Sequence, residues 1–327
     1  MNDHGTGAAR RAASAEDVER AWEDTKLAQV LYHDWESDTY DEKWSISFDA
    51  RCQDYARDRF AAVVGQDVLA AAPYGATLEI GAGTGFFTLN LALAGVLDGP
   101  LTVTDLSPGM VEAAVASAEA LGLTVEGRVA DVEALPFPDA SFDLVIGHAV
   151  LHHIPNVELA FREIVRVLRP GGRFVICGEP TVLGDRIARR LGQLTWAVST
   201  RVTHLPGIRG GWARSWDELG ESSRAAALEW VVDLHTFDPD TLARTALRAG
   251  ALDVQTVTEE LTAAWFGWPV RTVEHAVRRD RLGHRWALFA FHGWRTLSAL
   301  DARLSRVVPA RLFYNVSITG TAPDATA

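Results

Sequence analysis

The 327-residue sequence is poor in cysteine: it has two, Cys52 and Cys177, far apart in the chain. That excludes a disulfide framework and a multi-cysteine metal site, and it fits a reducing cytoplasm. No apolar run approaches the length of a spanning helix. Positive charge is also lacking. The formal net charge is −12, which argues against nucleic-acid binding, since that needs a basic face to release counterions. Lysine occurs only at Lys26 and Lys43, and the other basic residues are arginine. No His/Asp cluster at ligand spacing is evident, so no metal is expected. Tryptophan is absent between Glu79 and Thr195, although the chain has 11. Three lie early (Trp22, Trp35, Trp44). Eight lie late (Trp196, Trp212, Trp216, Trp230, Trp265, Trp268, Trp286, Trp294).

What is present divides the chain the same way. Hydrophobic residues are 48% and charged residues 23%, a globular balance with enough length for a full core. The middle alternates strand and helix signals. Strands are expected at 77–81, 101–105, 124–130, 142–147 and 173–177, with Pro170-Gly171-Gly172 as a turn. Ser107-Pro108 and Asn156 open helices, as capping residues do. Single helices between strands imply parallel strands with right-handed crossovers, hence an open, doubly wound α/β sheet. Residues 183–235 read as helices and loops, 253–260 as a strand, 262–308 as two amphipathic helices, and Leu312–Thr319 as a last strand. Residues 1–15 read as a disordered lead without a signal-peptide core, 16–60 as a helical segment, 61–182 as the ligand-binding core, 183–235 as a helical lid, 236–320 as the end of the sheet, and 321–327 as a disordered tail.

Three features carry chemistry. Glu79-Ile80-Gly81-Ala82-Gly83-Thr84-Gly85 ends the first strand in a glycine loop, where missing side chains let a ligand lie on the backbone. Phe86 departs from the dinucleotide G-x-G-x-x-G spacing. Asp105 ends the second strand, where a carboxylate can accept from a ribose diol. Asp131 ends the third and can accept from an adenine amino group. Either aspartate could instead simply cap a turn.

These residues, with Leu106-Ser107-Pro108-x-Met110, Asp131-Val132-Glu133-x-Leu135-Pro136-Phe137, Ser141-Phe142-Asp143-Leu144-Val145, Leu151-His152-His153 and Arg166-Val167-Leu168-Arg169-Pro170-Gly171-Gly172, resemble the class I S-adenosylmethionine-dependent methyltransferases over residues 77–178. The blocks are most similar to the ubiquinone/menaquinone C-methyltransferase branch. The resemblance implies a Rossmann-like seven-stranded sheet of order 3-2-1-4-5-7-6, its last strand antiparallel. It implies S-adenosylmethionine as cofactor. Gly81, Ala82, Gly83 and Gly85 would line the methionine part, and Glu79 would face its amino group directly or through water. Asp105 would take the ribose hydroxyls, Leu106 and Met110 would flank the adenine, and Asp131 and Val132 would meet its edge. Tyr40 would contact the cofactor carboxylate, and His148 would sit by the transferring methyl.

The expected activity is methyl transfer to a carbon or hydroxyl of a small, mostly apolar metabolite, quinone-, polyketide- or isoprenoid-like. The helical insertions with their tryptophans would wall the acceptor pocket. His148 is the candidate general base; for an alkene acceptor Glu179 would serve instead. Leu151-His152-His153 reads as loop scaffold. Arg271 to Arg311 carries a local charge of +6, which suits an acceptor anion, an anionic membrane surface or plain solvation. The rivals are a nicotinamide-dependent oxidoreductase and a non-enzymatic cofactor-binding regulator.

Overall fold

A computed structural model describes residues 19–324 except 22, 38–39, 42–45, 70–71, 221–231 and 279–280. The expected lead and the positions of Trp22, Trp44 and Trp230 lie outside the described residues. Seven strands form one sheet: β1 (Thr77–Ile80), β2 (Leu101–Asp105), β3 (Val125–Val129), β4 (Phe142–His148), β5 (Leu168–Pro180), β6 (Leu252–Glu259) and β7 (Asn315–Thr321). Their order is β3-β2-β1-β4-β5-β7-β6, as expected. β1 to β5 run parallel, and β7 is antiparallel to both β5 and β6.

The sheet is central because both faces of its middle strands are apolar. One core gathers Leu78, Ile80, Val145, Phe161, Phe174 and Ile318. The opposite one gathers Phe60, Phe87, Leu91, Leu144, Ile146 and Val175. Three of the helices between strands are started by a side chain that satisfies free amides. Ser107 caps α4 (Pro108–Ala120), Asn156 caps α5 (Val157–Val167), and Asp238 caps α7 (Pro239–Arg248). Ahead of the sheet lie α1 (Thr25–Glu36) and α2 (Ala50–Val64), capped by Asp24 and Asp49. Helix α3 (Phe86–Leu93) follows the glycine loop.

Strand β5 differs from expectation. The Pro170-Gly171-Gly172 turn lies within it, because the backbone pairs on past it. Gly171 N–H donates to Ala322 O at 3.3 Å and Ala322 N–H to Gly172 O at 2.8 Å. A register shift between Phe142 and Leu144 absorbs the irregularity. The same pairing keeps Thr321 in β7 and buries Ala322, so residues 321–324 are ordered chain rather than tail.

Three helices make the remaining layer: α6 (Val182–Thr203), α8 (Thr262–Ala276) and α9 (His284–Leu304). Helix α8 packs against both others. A Cβ at Gly293 would stand 2.4 Å from Phe266 Cζ, so α8 and α9 can approach this closely only with glycine there. Asp301 of α9 ties down the start of α8, accepting the N–H groups of Leu261, Thr262 and Ala263 at 2.9 Å each.

Candidate active site

A cavity of about 2320 Å³ opens beyond the carboxyl ends of the parallel strands and continues under the helical layer. Single small-ligand pockets hold about 300–1,000 Å³, so this space has room for a nucleoside cofactor and a second molecule.

One end is built from the glycine loop. Gly81 and Gly83 take φ of +56° and +54°, where an L side chain is strained. A Cβ on Gly83 would project 3.7 Å from Tyr40 Cε1, and one on Gly81 would strike Val150. Asp105 binds this loop to the end of β2. Its Oδ2 accepts from Gly83 N–H and its Oδ1 from Ser107 N–H, each at 2.9 Å. Each oxygen retains a lone pair, enough for a diol. Glu79 lies beneath, buried, accepting Thr88 N–H at 3.0 Å. Burial and then the charge of Asp105 push its pKa up to about 8, against the lowering effect of the Thr88 hydrogen bonds. Such a carboxyl is ready to ionise against a cationic amino group.

The N-terminal segment closes over this end. Thr84 Oγ1 donates to Asp41 Oδ1 at 2.6 Å. Asp34 accepts from Ser107 Oγ and, at 2.9 Å, from Gly109 N–H at the start of α4. Lys26 bridges Asp131 Oδ2 and Glu133 Oε2 at 2.5 Å each. Asp131 also caps its own turn through Glu133 N–H at 2.9 Å. An adenine amino group there would share the carboxylate with Lys26.

Of the residues anticipated for the cofactor, Tyr40, Glu79, Gly81, Ala82, Gly83, Asp105, Leu106, Asp131, Val132 and His148 line the cavity. Gly85 and Met110 do not. Gly85, at φ +88°, is the turn before α3. Met110 is fully buried behind the loop.

The other end is aromatic. His148 packs among Tyr55, Phe86 and Phe87, with centroids 5.4–6.1 Å away, and Tyr55 meets Trp294 at 5.7 Å. Burial, then the charge of Arg59, depresses the His148 pKa to about 3. Its Nε2 is buried without a hydrogen-bond partner among the described residues. At neutral pH it is an uncharged wall and a weak base. Arg59 stacks 4.5 Å over the Tyr55 ring. It pairs with Glu259 at 3.2 Å and with Glu260, tying α2 to the end of β6. Trp196, Trp268 and Trp294 line the cavity, whereas Trp212, Trp216 and Trp265 are exposed.

Glu179 lies elsewhere than the expectation of a cavity-facing carboxylate. It is fully buried and lines no part of the cavity. Its Oε1 accepts the N–H groups of Val150 and Leu151 at 2.8 Å, and its Oε2 accepts His152 N–H at 3.1 Å. The same Oε2 lies 2.9 Å from His152 Nδ1. The carboxylate thus fixes the proton on Nδ1 and leaves Nε2 as the basic nitrogen. His152 lines the cavity, with Nε2 3.8 Å from Asp233 Oδ1.

Sequence spacing missed this arrangement, because His152, Glu179 and Asp233 are far apart in the chain and meet only in the fold. His152, His153 and Asp233 bring one ligand-type atom each within 4.8 Å of one another, a grouping the sequence did not suggest. Arg189 shares Asp233 at 3.4 Å, His153 Nδ1 is held by Val232 O at 3.0 Å and His152 Nδ1 by Glu179 at 2.9 Å, so all three members already have other partners.

Residues 78–176 match the family described as a methyltransferase domain. A malonyl-[acyl-carrier protein] O-methyltransferase of Methylococcus capsulatus is 34% identical over 168 residues, 47% of this chain and 58% of that one. A 27-O-demethylrifamycin SV methyltransferase of Amycolatopsis mediterranei is 38% identical over 103 residues, 30% of this chain and 36% of that one. The chain thus spans less than two thirds of either relative. Among solved structures, a protein of Galdieria sulphuraria assigned as a sarcosine dimethylglycine methyltransferase aligns with TM-score 0.51 at 13% identity, covering 88% of this chain and 98% of its own. That likeness is one of fold.

Proposed function

We propose that the chain, whose residues 78–176 match a methyltransferase domain, transfers a methyl group from S-adenosylmethionine to a carbon or hydroxyl oxygen of a small, mostly apolar acceptor. The observation that carries this reading is one continuous cavity, with the glycine loop and Asp105 at one end and Trp196, Trp268 and Trp294 at the other. The residues present fit the cofactor: a loop without side chains, a carboxylate with spare lone pairs for the ribose, and a carboxyl at Glu79 for the amino group. When bound, S-adenosylmethionine supplies an electrophilic methyl with a good leaving group.

The protein's own work is then to orient the acceptor, exclude water and take a proton. Tyr55, Phe86 and Trp294 form flat apolar walls that orient a ring or polyene. His148 completes the wall rather than the proton path, since its depressed pKa makes it a poor acceptor of protons near neutrality. The base this geometry favours is His152. Glu179 acts as its positioning residue, fixing ring orientation and tautomer.

The test is turnover, read as release of S-adenosylhomocysteine. His152→Ala should lower kcat by about 10²–10⁴-fold, the usual worth of a general base, with cofactor affinity unchanged. Glu179→Gln should shift the acidic limb of the pH profile, which the base sets, rather than the cofactor affinity. Turnover of His152→Ala within a few-fold of wild type would reduce the pair to loop scaffolding.

A further inference from the structure

Helix α6 is amphipathic the wrong way round for a lid. Its inner face, with Asp185, Ala188, Arg189, Gly192 and Trp196, lines the cavity. Its apolar residues Ile187, Leu191, Leu194, Val198 and Val202, followed by Leu205, repeat at spacings of three and four, so they share one face. They face outward. Leu194 is 63% exposed, Val198 52%, Val202 45% and Leu205 50%. From Leu194 to Val202 the exposed part of the stripe runs about 12 Å at 1.5 Å per residue, with Leu205 just past the helix end, and contiguous apolar surface of this kind marks an interaction site.

On α6 itself the exposed charges beside the stripe are of one sign; the exposed acids Asp217 and Glu218 lie past Trp216, beyond the helix. Arg186, Arg190 and Arg201 are exposed, as is Arg209 in the next helical turn, and none forms an ion pair with an acid among the described residues. The helix's one acid, Asp185, is on the cavity side, paired with Arg189 at 2.6 Å. At the carboxyl end Trp216, 64% exposed, stacks on His204 with centroids 4.2 Å apart, and Trp212 is 44% exposed. In a chain of net charge −12 this is a local basic, apolar face edged by indoles. A second copy of the chain would set arginine against arginine across the stripe. An anionic lipid surface complements both parts, taking the apolar side chains into its boundary and the arginines among its headgroups, with tryptophans at the interface.

We propose that the outward face of α6 docks the protein on an anionic membrane surface. The helix is then a wall with lipid on one side and the cavity on the other, a place where an apolar molecule dissolved in the bilayer can be collected. The face stands whatever the cavity binds.

The test uses the full chain and flotation with vesicles of phosphatidylcholine, alone or mixed with phosphatidylglycerol. Binding should be at least about ten-fold stronger to the mixed vesicles and should weaken with salt. Leu194→Ser with Val198→Ser, and separately Arg190→Glu with Arg201→Glu, should each lower it about ten-fold. These are exposed positions, so S-adenosylhomocysteine binding should not change in either variant. That control separates failure of this proposal from failure of the cofactor reading. Absence of binding, or equal binding to both vesicle types, would overturn it. So would light scattering that shows a dimer dissociated by the Leu194→Ser, Val198→Ser pair, which would make the stripe a self-association face.

Discussion

Gly83 donates its backbone N–H to Asp105 Oδ2 at 2.9 Å, so the ends of β1 and β2 are fastened together where a ribose would lie. One carboxylate both shapes the loop and offers the remaining acceptors. Asp105→Ala should therefore weaken S-adenosylhomocysteine by about 10- to 100-fold, the range for a charge-assisted pair worth roughly 1.5–3 kcal/mol. Asp105→Asn should lose less, because it keeps one oxygen. Isothermal calorimetry reads both.

Glu79 predicts a pH dependence of stability. Its folded pKa is raised to about 8 from an ordinary 4.5. Between those values the native state holds a proton that the unfolded chain has lost. The stabilising contribution is fully present below pH 4.5 and falls as pH rises through 8. Glu79→Gln should flatten that fall in chemical denaturation measured at successive pH values. Binding of the cationic amino group should also release protons near neutral pH in wild type and not in the variant, visible as a buffer-dependent enthalpy.

His148 predicts the opposite slope. Its folded pKa is depressed to about 3 from 6.5, so its contribution is fully present above pH 6.5 and is lost as pH falls toward 3. His148→Phe should remove that acid-side loss. Turnover of the same variant should stay within a few-fold of wild type, since the imidazole is a wall. A drop of a hundred-fold or more would return the proton-transfer role to His148.

Arg59 is a buried cation held by two carboxylates. Arg59→Met should destabilise the fold by about 3 kcal/mol, because it leaves half-buried Glu259 without its cation and Glu260 with only Trp294 and Asn315. The combined Arg59→Met, Glu259→Gln, Glu260→Gln variant should recover a good part of that loss. Urea denaturation of the two variants measures it.

Most of the sheet was legible in the sequence. The strands are short β-rich runs bounded by glycine, and the caps Ser107, Asn156 and Asp238 do what their side chains dictate. The Pro170-Gly171-Gly172 stretch misled, because turn residues were drawn into β5 by pairing with residues beyond β7, a long-range contact that local propensity cannot express. The glycine-loop end of the cavity was also legible as a place, since its loop and carboxylates follow fixed strand ends. Gly85 and Met110 were placed one layer too near the ligand, because motif spacing does not say which side of a loop faces the cavity. The acceptor end was not legible. His152, Glu179 and Asp233 meet only through tertiary packing. Arg59 left one signal: it is a charge at a core position of α2, between the buried Ala56 and Phe60.

Calorimetric titration of the full-length chain with S-adenosylhomocysteine tests the central claim most directly, with a nicotinamide dinucleotide as the control. One saturable site for S-adenosylhomocysteine, weakened by Asp105→Ala, with no heat from the dinucleotide, is the predicted result. Saturable binding of the dinucleotide and none of S-adenosylhomocysteine would contradict it.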